Sequence, residues 1–89
     1  MLEKNIVIKN KLGLHARASA KLVKEAKRFQ SEIKLIKNNH ITNAKSIMSV
    51  MMLAASKGSE LILQAEGNDA KEALEAVAEL IDNRFGEAE

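Results

Sequence analysis

The sequence contains no cysteine, proline, tryptophan or tyrosine, and it has only two phenylalanines. A chain without cysteine forms no disulfide framework, no redox dithiol and no thiolate metal site. The two histidines, His15 and His40, do not build a zinc site by themselves, although carboxylates could complete one. We therefore expect no structural metal and no bound cofactor.

Long apolar segments are also absent. The longest apolar run, Ile47 to Ala55 with Ser49 inside it, is far shorter than the roughly 20 residues that a membrane-spanning helix needs. Residues 1–4 do not resemble the start of a signal peptide. These features predict a cytoplasmic protein that does not insert into a membrane.

A chain of 89 residues fits one domain, so we expect a single domain spanning residues 1–89. Its charge is unevenly distributed along the chain. Residues 1–45 hold 11 Lys and Arg against 3 Asp and Glu, whereas residues 46–89 hold 3 against 9. If the fold keeps these halves apart, the basic half forms a docking surface for nucleic acid, a membrane or an acidic protein.

Apolar periodicity divides the first half of the chain into elements. Residues 2–8 alternate apolar and polar side chains and predict a strand. From Ala16 to Phe29 apolar residues recur at helical spacing, which predicts an amphipathic helix. Residues 32–42 predict a hairpin, because its centre, Asn38-Asn39, tolerates positive φ.

The second half continues the alternation of helices and strands. Ser46 is a good N-cap for a helix from Ile47 to Ala54, and residues 60–66 predict a strand. Asp69 and Glu72 have the spacing of a capping box for a last helix, which Gly86 ends. The order β-α-β-β-α-β-α predicts an α+β open-faced β-sandwich, with a four-stranded antiparallel sheet and three helices on one face.

Basic residues form a stripe on the first helix. The stripe consists of Arg17, Lys21, Lys24 and Arg28, at positions i, i+4, i+7 and i+11, with Lys27 beside it. Cations along one side of a helix favour an anionic partner.

His15 lies where this basic helix begins. The free N–H groups of a helix start, here at Ala16 and Arg17, favour a phosphate, and their field disfavours a protonated imidazole. Arg17 can also donate to phosphoryl oxygens. No carboxylate lies nearby in sequence to orient the ring, so hydrolytic chemistry has little support. The pattern fits a reversible phosphoryl acceptor, and it also fits an ordinary surface cap.

Two segments carry a family resemblance. Residues 13–20 (GLHARASA) and residues 44–51 (AKSIMSVM) closely resemble the two signature regions of the HPr family. That family comprises histidine-containing phosphocarriers of the bacterial phosphoenolpyruvate-dependent phosphotransferase system (PTS). The resemblance covers essentially the whole chain and includes the order of its elements.

The resemblance implies a role for several residues. His15 matches the histidine that takes a phosphoryl group from phospho-Enzyme I through Nδ1 and passes it to EIIA-type domains, and Arg17 matches the arginine that assists. Ser46 matches the serine that HPr kinase/phosphorylase modifies in many members, although an N-cap role alone also explains it. We expect a monomer.

This sequence departs from the family pattern at two positions. The family usually has Pro where Ala18 stands, and Ala is a good helix former there. It usually has Gly or Lys where Ser49 stands, in the helix that would meet the kinase and the transfer partners. We expect Ala18 to leave activity unaffected and Ser49 to influence regulation.

The helix from Ile47 is apolar almost all round, yet a two-turn helix on a sheet buries only one side. Val50 and Leu53 are predicted to be buried, and Met48 and Met51 to remain exposed for partner contact. The predicted partner-binding residues are Ala20, Lys24, Lys27, Ile47, Met48 and Met51.

Two other functions remain open at this stage. A regulatory paralogue, of the nitrogen-branch or catabolite-control type, would use His15 and Ser46 as switches on the same surface. A small basic nucleic-acid-binding domain is the remote alternative. The chain has no Tyr or Trp for base stacking, and it has no known groove-reading motif.

Overall fold

The computed structural model describes all 89 residues, and its four strands form one antiparallel sheet. The strands are β1 (Leu2–Val7), β2 (Glu32–Lys37), β3 (His40–Asn43) and β4 (Glu60–Glu66), in the spatial order β1-β4-β2-β3. Every neighbouring pair is antiparallel. The predicted order of elements and the predicted sheet are confirmed.

Alternation along the strands gives the sheet one buried face. Leu35 lies opposite Leu63 in the register, and both are fully buried. Their sequence neighbours Ile36 and Ile62 also pair, on the opposite face, and are partly exposed. The period of two therefore selects which residues face the helices and which face solvent.

Three helices cover the buried face of the sheet. They are α1 (Ala16–Ala26), α2 (Ile47–Met52) and α3 (Ala70–Asp82). The long helix α3 packs on β1 and β4, and α1 contacts both α2 and α3. Apolar side chains from all these elements form one contiguous core. No helix has the length and apolar character that a bilayer crossing requires.

Two helices end earlier than their apolar periodicity predicts. The backbone N–H of Phe29 bonds to the carbonyl of Ala26, three residues back, so the turn after α1 tightens and is no longer α-helical. The end of α2 behaves likewise, since the N–H of Ala54 bonds to Met51 and Ala54 has φ of 51°. The predicted ends at Phe29 and Ala54 are wrong by two or three residues.

The predicted capping box of α3 does not form. Asp69 is the N-cap residue, but its side chain makes no capping hydrogen bond within the helix. Instead its carboxylate accepts from the backbone N–H groups of Gln30 and Ser31, each at 2.9 Å, and from the Ser31 hydroxyl. Asp69 thus fastens the start of α3 to the segment that enters β2.

The predicted stop at Gly86 is also wrong, because α3 ends at Asp82 and a separate 3₁₀ turn, Arg84–Gly86, follows it. Arg84, Phe85 and Gly86 all have positive φ, at 57°, 55° and 76°. This left-handed turn buries the ring of Phe85 to 1% exposure. Residues 84–89, called the C-terminal segment below, then run back toward the start of α1.

The hairpin turn is confirmed. Asn38 and Asn39 have φ of 49° and 68°, the positive values of a type I′ turn, and they join the paired residues Lys37 and His40. His40 is exposed at this turn, far along the chain from the basic helix.

Candidate functional site

His15 begins α1 as its N-cap residue, as the sequence predicts. Its backbone is extended, with φ of −72° and ψ of 179°, and its carbonyl accepts the N–H of Ser19 at 2.8 Å. The Nδ1 atom of the ring accepts the backbone N–H of Arg17 at 3.2 Å. The side chain is 27% exposed, so a reacting group can reach it from solvent.

The loop before His15 is fixed by a close approach of two backbones. Gly13 has φ of +67°, and a Cβ at this position would lie 2.4 Å from the carbonyl oxygen of Ala55. The next N–H, that of Leu14, donates to the same oxygen at 2.9 Å. Only glycine allows this approach, which fastens the loop to the segment after α2.

A carboxylate covers the other ring nitrogen. Glu87 Oε2 lies 2.6 Å from Nε2 of His15, although the two residues are 72 positions apart in the chain. Glu87 Oε1 accepts from the amide of Asn10 at 3.0 Å, and this amide also donates to the carbonyl of Gly13 at 2.8 Å. The expectation that no carboxylate orients the ring, which rested on sequence neighbours, is wrong.

The C-terminal segment brings Glu87 to this position. The buried ring of Phe85 anchors the segment, and the ammonium of Lys21 donates to the carbonyl of Phe85 at 2.7 Å. Further on, the carbonyl of Glu89 accepts the N–H of Lys11 at 2.6 Å. The only signal in the sequence is one of its two phenylalanines just after the last helix, which indicates a late return of the chain to the core.

The carboxyl of Glu87 is ionised at neutral pH. Burial, the largest single influence, raises its pKa, but the hydrogen bonds that it accepts from His15 and Asn10 and the nearby positive charge together outweigh burial. The charge of Lys21 acts in the same direction as the hydrogen bonds. The pKa therefore lies below the usual value for a glutamate.

The guanidinium of Arg17 has no hydrogen-bond or ion-pair partner within the chain, and the side chain is exposed beside the ring of His15. A free guanidinium next to a nitrogen nucleophile can bind the oxygens of an incoming phosphoryl group. The backbone N–H of Ala16, at the same helix start, also has no partner within the protein. The N–H of Arg17, also predicted to be free, is not, because it donates to Nδ1 of His15.

Not every member of the predicted basic stripe is available to a partner. Lys21 is engaged with Phe85, and Arg28 forms a 2.6 Å ion pair with Glu25. Arg17, Lys24 and Lys27 remain exposed without such contacts. Lys45, just before the N-cap Ser46, donates to the carbonyl of Phe29 at 2.7 Å and is likewise engaged within the chain. Two of the four stripe residues, Arg17 and Lys24, thus remain free, together with Lys27 beside the stripe.

The exposed apolar residues of α2 are those that the sequence predicts. Val50 and Leu53 are buried, whereas Met48 is 72% exposed and Met51 is 40% exposed. Ile47 and Met52 are exposed as well. The apolar patch of α2, a helix that contacts α1, therefore consists of Ile47, Met48, Met51 and Met52. Ala20 is exposed on α1.

Ser46 is the N-cap of α2, as predicted. Its hydroxyl oxygen accepts the N–H of Ser49 at 3.4 Å, and both side chains are half-buried. Ala18, one of the two departures from the family pattern, is fully buried in the first turn of α1. Its methyl group therefore contributes to the core.

Comparison with known proteins gives a consistent result. The family model PTS-HPr, described as the PTS HPr component phosphorylation site, matches residues 2–83. Phosphocarrier protein HPr of Cupriavidus necator is 54% identical over 89 residues, which is the whole of both chains. That of Pseudomonas aeruginosa is 53% identical over 85 residues, or 94% of each chain. The crystal structure of HPr-C-His from Thermoanaerobacter tengcongensis superimposes with a TM-score of 0.96 at 48% identity and covers both chains fully.

Proposed function

Because the chain belongs to the HPr family of phosphocarrier proteins of the PTS, we propose that His15 is the residue that carries the phosphoryl group. The observation that supports this is the position of the ring at the start of α1, with Nδ1 toward the helix and the free Arg17 guanidinium beside it. A helix N-terminus and an arginine together favour the negative charge of a phosphoryl group.

The reaction that we propose is a direct exchange between two nitrogens. The lone pair of Nδ1 on His15 attacks the phosphorus of a phosphorylated histidine on the donor, and the donor's N–P bond breaks as the new one forms. Arg17 and the N–H groups at the start of α1 take up the charge of the phosphoryl oxygens. The protein is a carrier in this scheme, acting as acceptor and then as donor, and it requires no cofactor of its own.

Enzyme I is the proposed donor and EIIA-type domains are the proposed acceptors. Their docking surface combines Ala20, Lys24 and Lys27 of α1 with Ile47, Met48 and Met51 of α2, an apolar patch beside free cations. We propose that the chain acts in the cytoplasm as a monomer of one domain, with the exchange partner bound only transiently.

Regulation through Ser46 is a separate proposal. A phosphate on its hydroxyl would lie at the start of α2, next to the docking surface, and would add negative charge there. HPr kinase/phosphorylase is the proposed modifying enzyme. A chiefly regulatory protein, of the catabolite-control type, would also use this position. Identifying which EIIA domain accepts the phosphoryl group distinguishes this regulatory role from a role in sugar transport.

Labelling tests the assignment of His15. The protein is incubated with phosphoenolpyruvate, magnesium and Enzyme I, and acid-labile phosphate is mapped. We expect His15→Ala to abolish the label and Arg17→Ala to slow its transfer about a hundredfold, because an arginine that stabilises phosphoryl charge contributes several kcal/mol. His40→Ala is the matched control, since this exposed histidine lies at the hairpin turn, and it should label normally. Acid-labile label on the His15→Ala variant would refute the assignment.

A further inference from the structure

The transfer scheme above leaves one contact of the site without a role. Glu87 covers Nε2 of His15 at 2.6 Å, on the ring edge opposite the nitrogen that faces the helix. A carboxylate at this edge does not touch the phosphoryl group, so its effect must act through the ring.

The two contacts of the ring agree on where its proton lies. Nδ1 accepts the backbone N–H of Arg17, so it carries a lone pair. An ionised carboxylate is only an acceptor, so the nitrogen that faces Glu87 must be the one bearing hydrogen. Together they select the neutral tautomer with N–H at Nε2 and the nucleophilic lone pair at Nδ1.

The position of Glu87 is itself fixed by the surrounding structure. Asn10, which is fully buried, donates through one amide nitrogen to both Glu87 and the carbonyl of Gly13. The C-terminal segment reaches this point through a left-handed turn that is held by the buried ring of Phe85. A turn with non-glycine residues at positive φ persists only where the surroundings hold it in place.

We propose that Glu87 is a positioning residue for phosphoryl transfer, which holds the proton of His15 on Nε2 so that Nδ1 is the atom that becomes phosphorylated. The proposal rests on the assignment of His15 as the phosphoryl-carrying residue. When Nδ1 forms the new N–P bond, the proton stays on Nε2, and the carboxylate compensates the positive charge that the ring acquires. Without Glu87 only the N–H of Arg17 still favours hydrogen on Nε2, so the tautomer with hydrogen on Nδ1 gains population and an unprotonated Nε2 can take the phosphoryl group instead.

A pair of variants separates this role from simple packing. Glu87→Ala removes the carboxylate and leaves only the backbone N–H of Arg17 to favour one tautomer. Glu87→Gln keeps the shape, but the donor of Asn10 selects the amide oxygen and turns the NH₂ group toward Nε2 of His15. That arrangement stabilises the tautomer with hydrogen on Nδ1, just as Asp-to-Asn does in a Ser-His-Asp triad. Asn10 cannot flip to relieve the conflict, because its amide nitrogen also binds the carbonyl of Gly13.

The expected order of rates is therefore wild type, then Ala, then Gln. We expect phosphorylation by Enzyme I to fall about tenfold in Glu87→Ala, where the productive tautomer is only partly lost. In Glu87→Gln we expect a fall of about a hundredfold, the lower end of the effects of acid–base groups. The ¹⁵N chemical shifts of the His15 ring, measured without any partner, should show an unprotonated Nδ1 in the wild type and a protonated Nδ1 in Glu87→Gln. Glu89→Gln is the control, since its carboxylate lies near Lys11, and it should match the wild type.

These measurements test the positioning role of Glu87 separately from the assignment of His15 as the phosphoryl-carrying residue. If Glu87→Gln is as fast as Glu87→Ala or faster, or if its ring shifts equal those of the wild type, the positioning role is overturned while the assignment of His15 stands. Acid-labile label that persists in His15→Ala overturns the assignment of His15, whatever the ring shifts show. Thermal unfolding of each variant confirms that the rates are compared between folded proteins.

Discussion

The imidazole of His15 is held in place by single residues whose spatial neighbours are distant in the sequence. Gly13 supplies the backbone conformation that brings the loop against Ala55, and the carbonyl of Ala55 in turn holds the N–H of Leu14. One residue later the chain starts α1 with His15 as its cap. A change at Gly13 thus acts on the site through the path of the loop, without touching the ring.

Replacing Gly13 with Ala should destabilise the fold. The residue would have to keep a φ of +67° and place a Cβ 2.4 Å from a backbone oxygen. Left-handed strain of about 1–2 kcal/mol and overpacking of about 1–3 kcal/mol predict a total loss of about 2–5 kcal/mol, which urea unfolding measures.

Gly58→Ala is the matched control for this prediction. Its φ is +90°, but nothing lies within 4 Å of the position that a Cβ would take. Only the strain applies there, so the loss should be about 1–2 kcal/mol. Equal losses in the two variants would mean that the contact with Ala55 does not constrain the loop.

At the scale of helices and strands, local patterns predicted every strand and every α-helix, missed the 3₁₀ turn at Arg84–Gly86 and failed at several helix ends. Apolar spacing indicates which side of a segment is buried, and it continues through Phe29 although the hydrogen bonds change before that residue. The capping box at Asp69 failed for a different reason. Donors of Ser31, 38 positions away, compete for the same carboxylate, and no local pattern contains them.

The same contact predicts a pH dependence of stability. Hydrogen bonds from the Ser31 hydroxyl and the backbone N–H of Gln30 lower the pKa of Asp69 in the folded protein. Because the unfolded chain binds this proton more readily, the contribution is complete above the ordinary aspartate pKa of about 4 and is lost as the pH falls through the lower folded value.

We expect Asp69→Asn to unfold more easily at pH 7 and to lose less stability than the wild type between neutral pH and acid. Urea unfolding at a series of pH values measures both effects. Glu72→Gln changes an exposed carboxyl in the first turn of the same helix that accepts no hydrogen bond, and its pH slope should stay close to that of the wild type. A wild-type slope in Asp69→Asn would contradict the role of these hydrogen bonds.

For the molecule as a whole, the fold brings together the two halves that differ in charge. Lys9 pairs with Asp82, and His15 pairs with Glu87, so basic residues early in the chain meet acidic residues near its end. The sequence predicted the cations of α1 but not the contact of Lys21, because its hydrogen bond to the carbonyl of Phe85 depends on where the C-terminal segment packs. Arg28, in contrast, pairs with Glu25 on its own helix. Glu87 also reaches His15 only through the packing of the C-terminal segment, which no local sequence pattern contains.

The cations left free on α1 should control the rate of partner association. Lys24 and Lys27 are exposed and unpaired on α1, the helix that contacts α2. Charges on a docking face accelerate the encounter of two proteins about tenfold or more at low ionic strength. Salt weakens this effect, because the Debye screening length falls to about 3 Å at 1 M ionic strength. The double variant Lys24→Gln, Lys27→Gln should therefore bind Enzyme I about tenfold more slowly at low salt and show a flatter salt dependence in stopped-flow measurements.

The control for this prediction removes two positive charges outside the proposed docking surface. Lys57 and Lys71 are exposed in the acidic half of the chain, outside α1 and α2. Because steering falls off with distance from the docking face, the double variant Lys57→Gln, Lys71→Gln should associate nearly as fast as the wild type. Equal slowing in both double variants would show that net charge alone drives the encounter, and the docking surface would then have to lie away from Lys24 and Lys27.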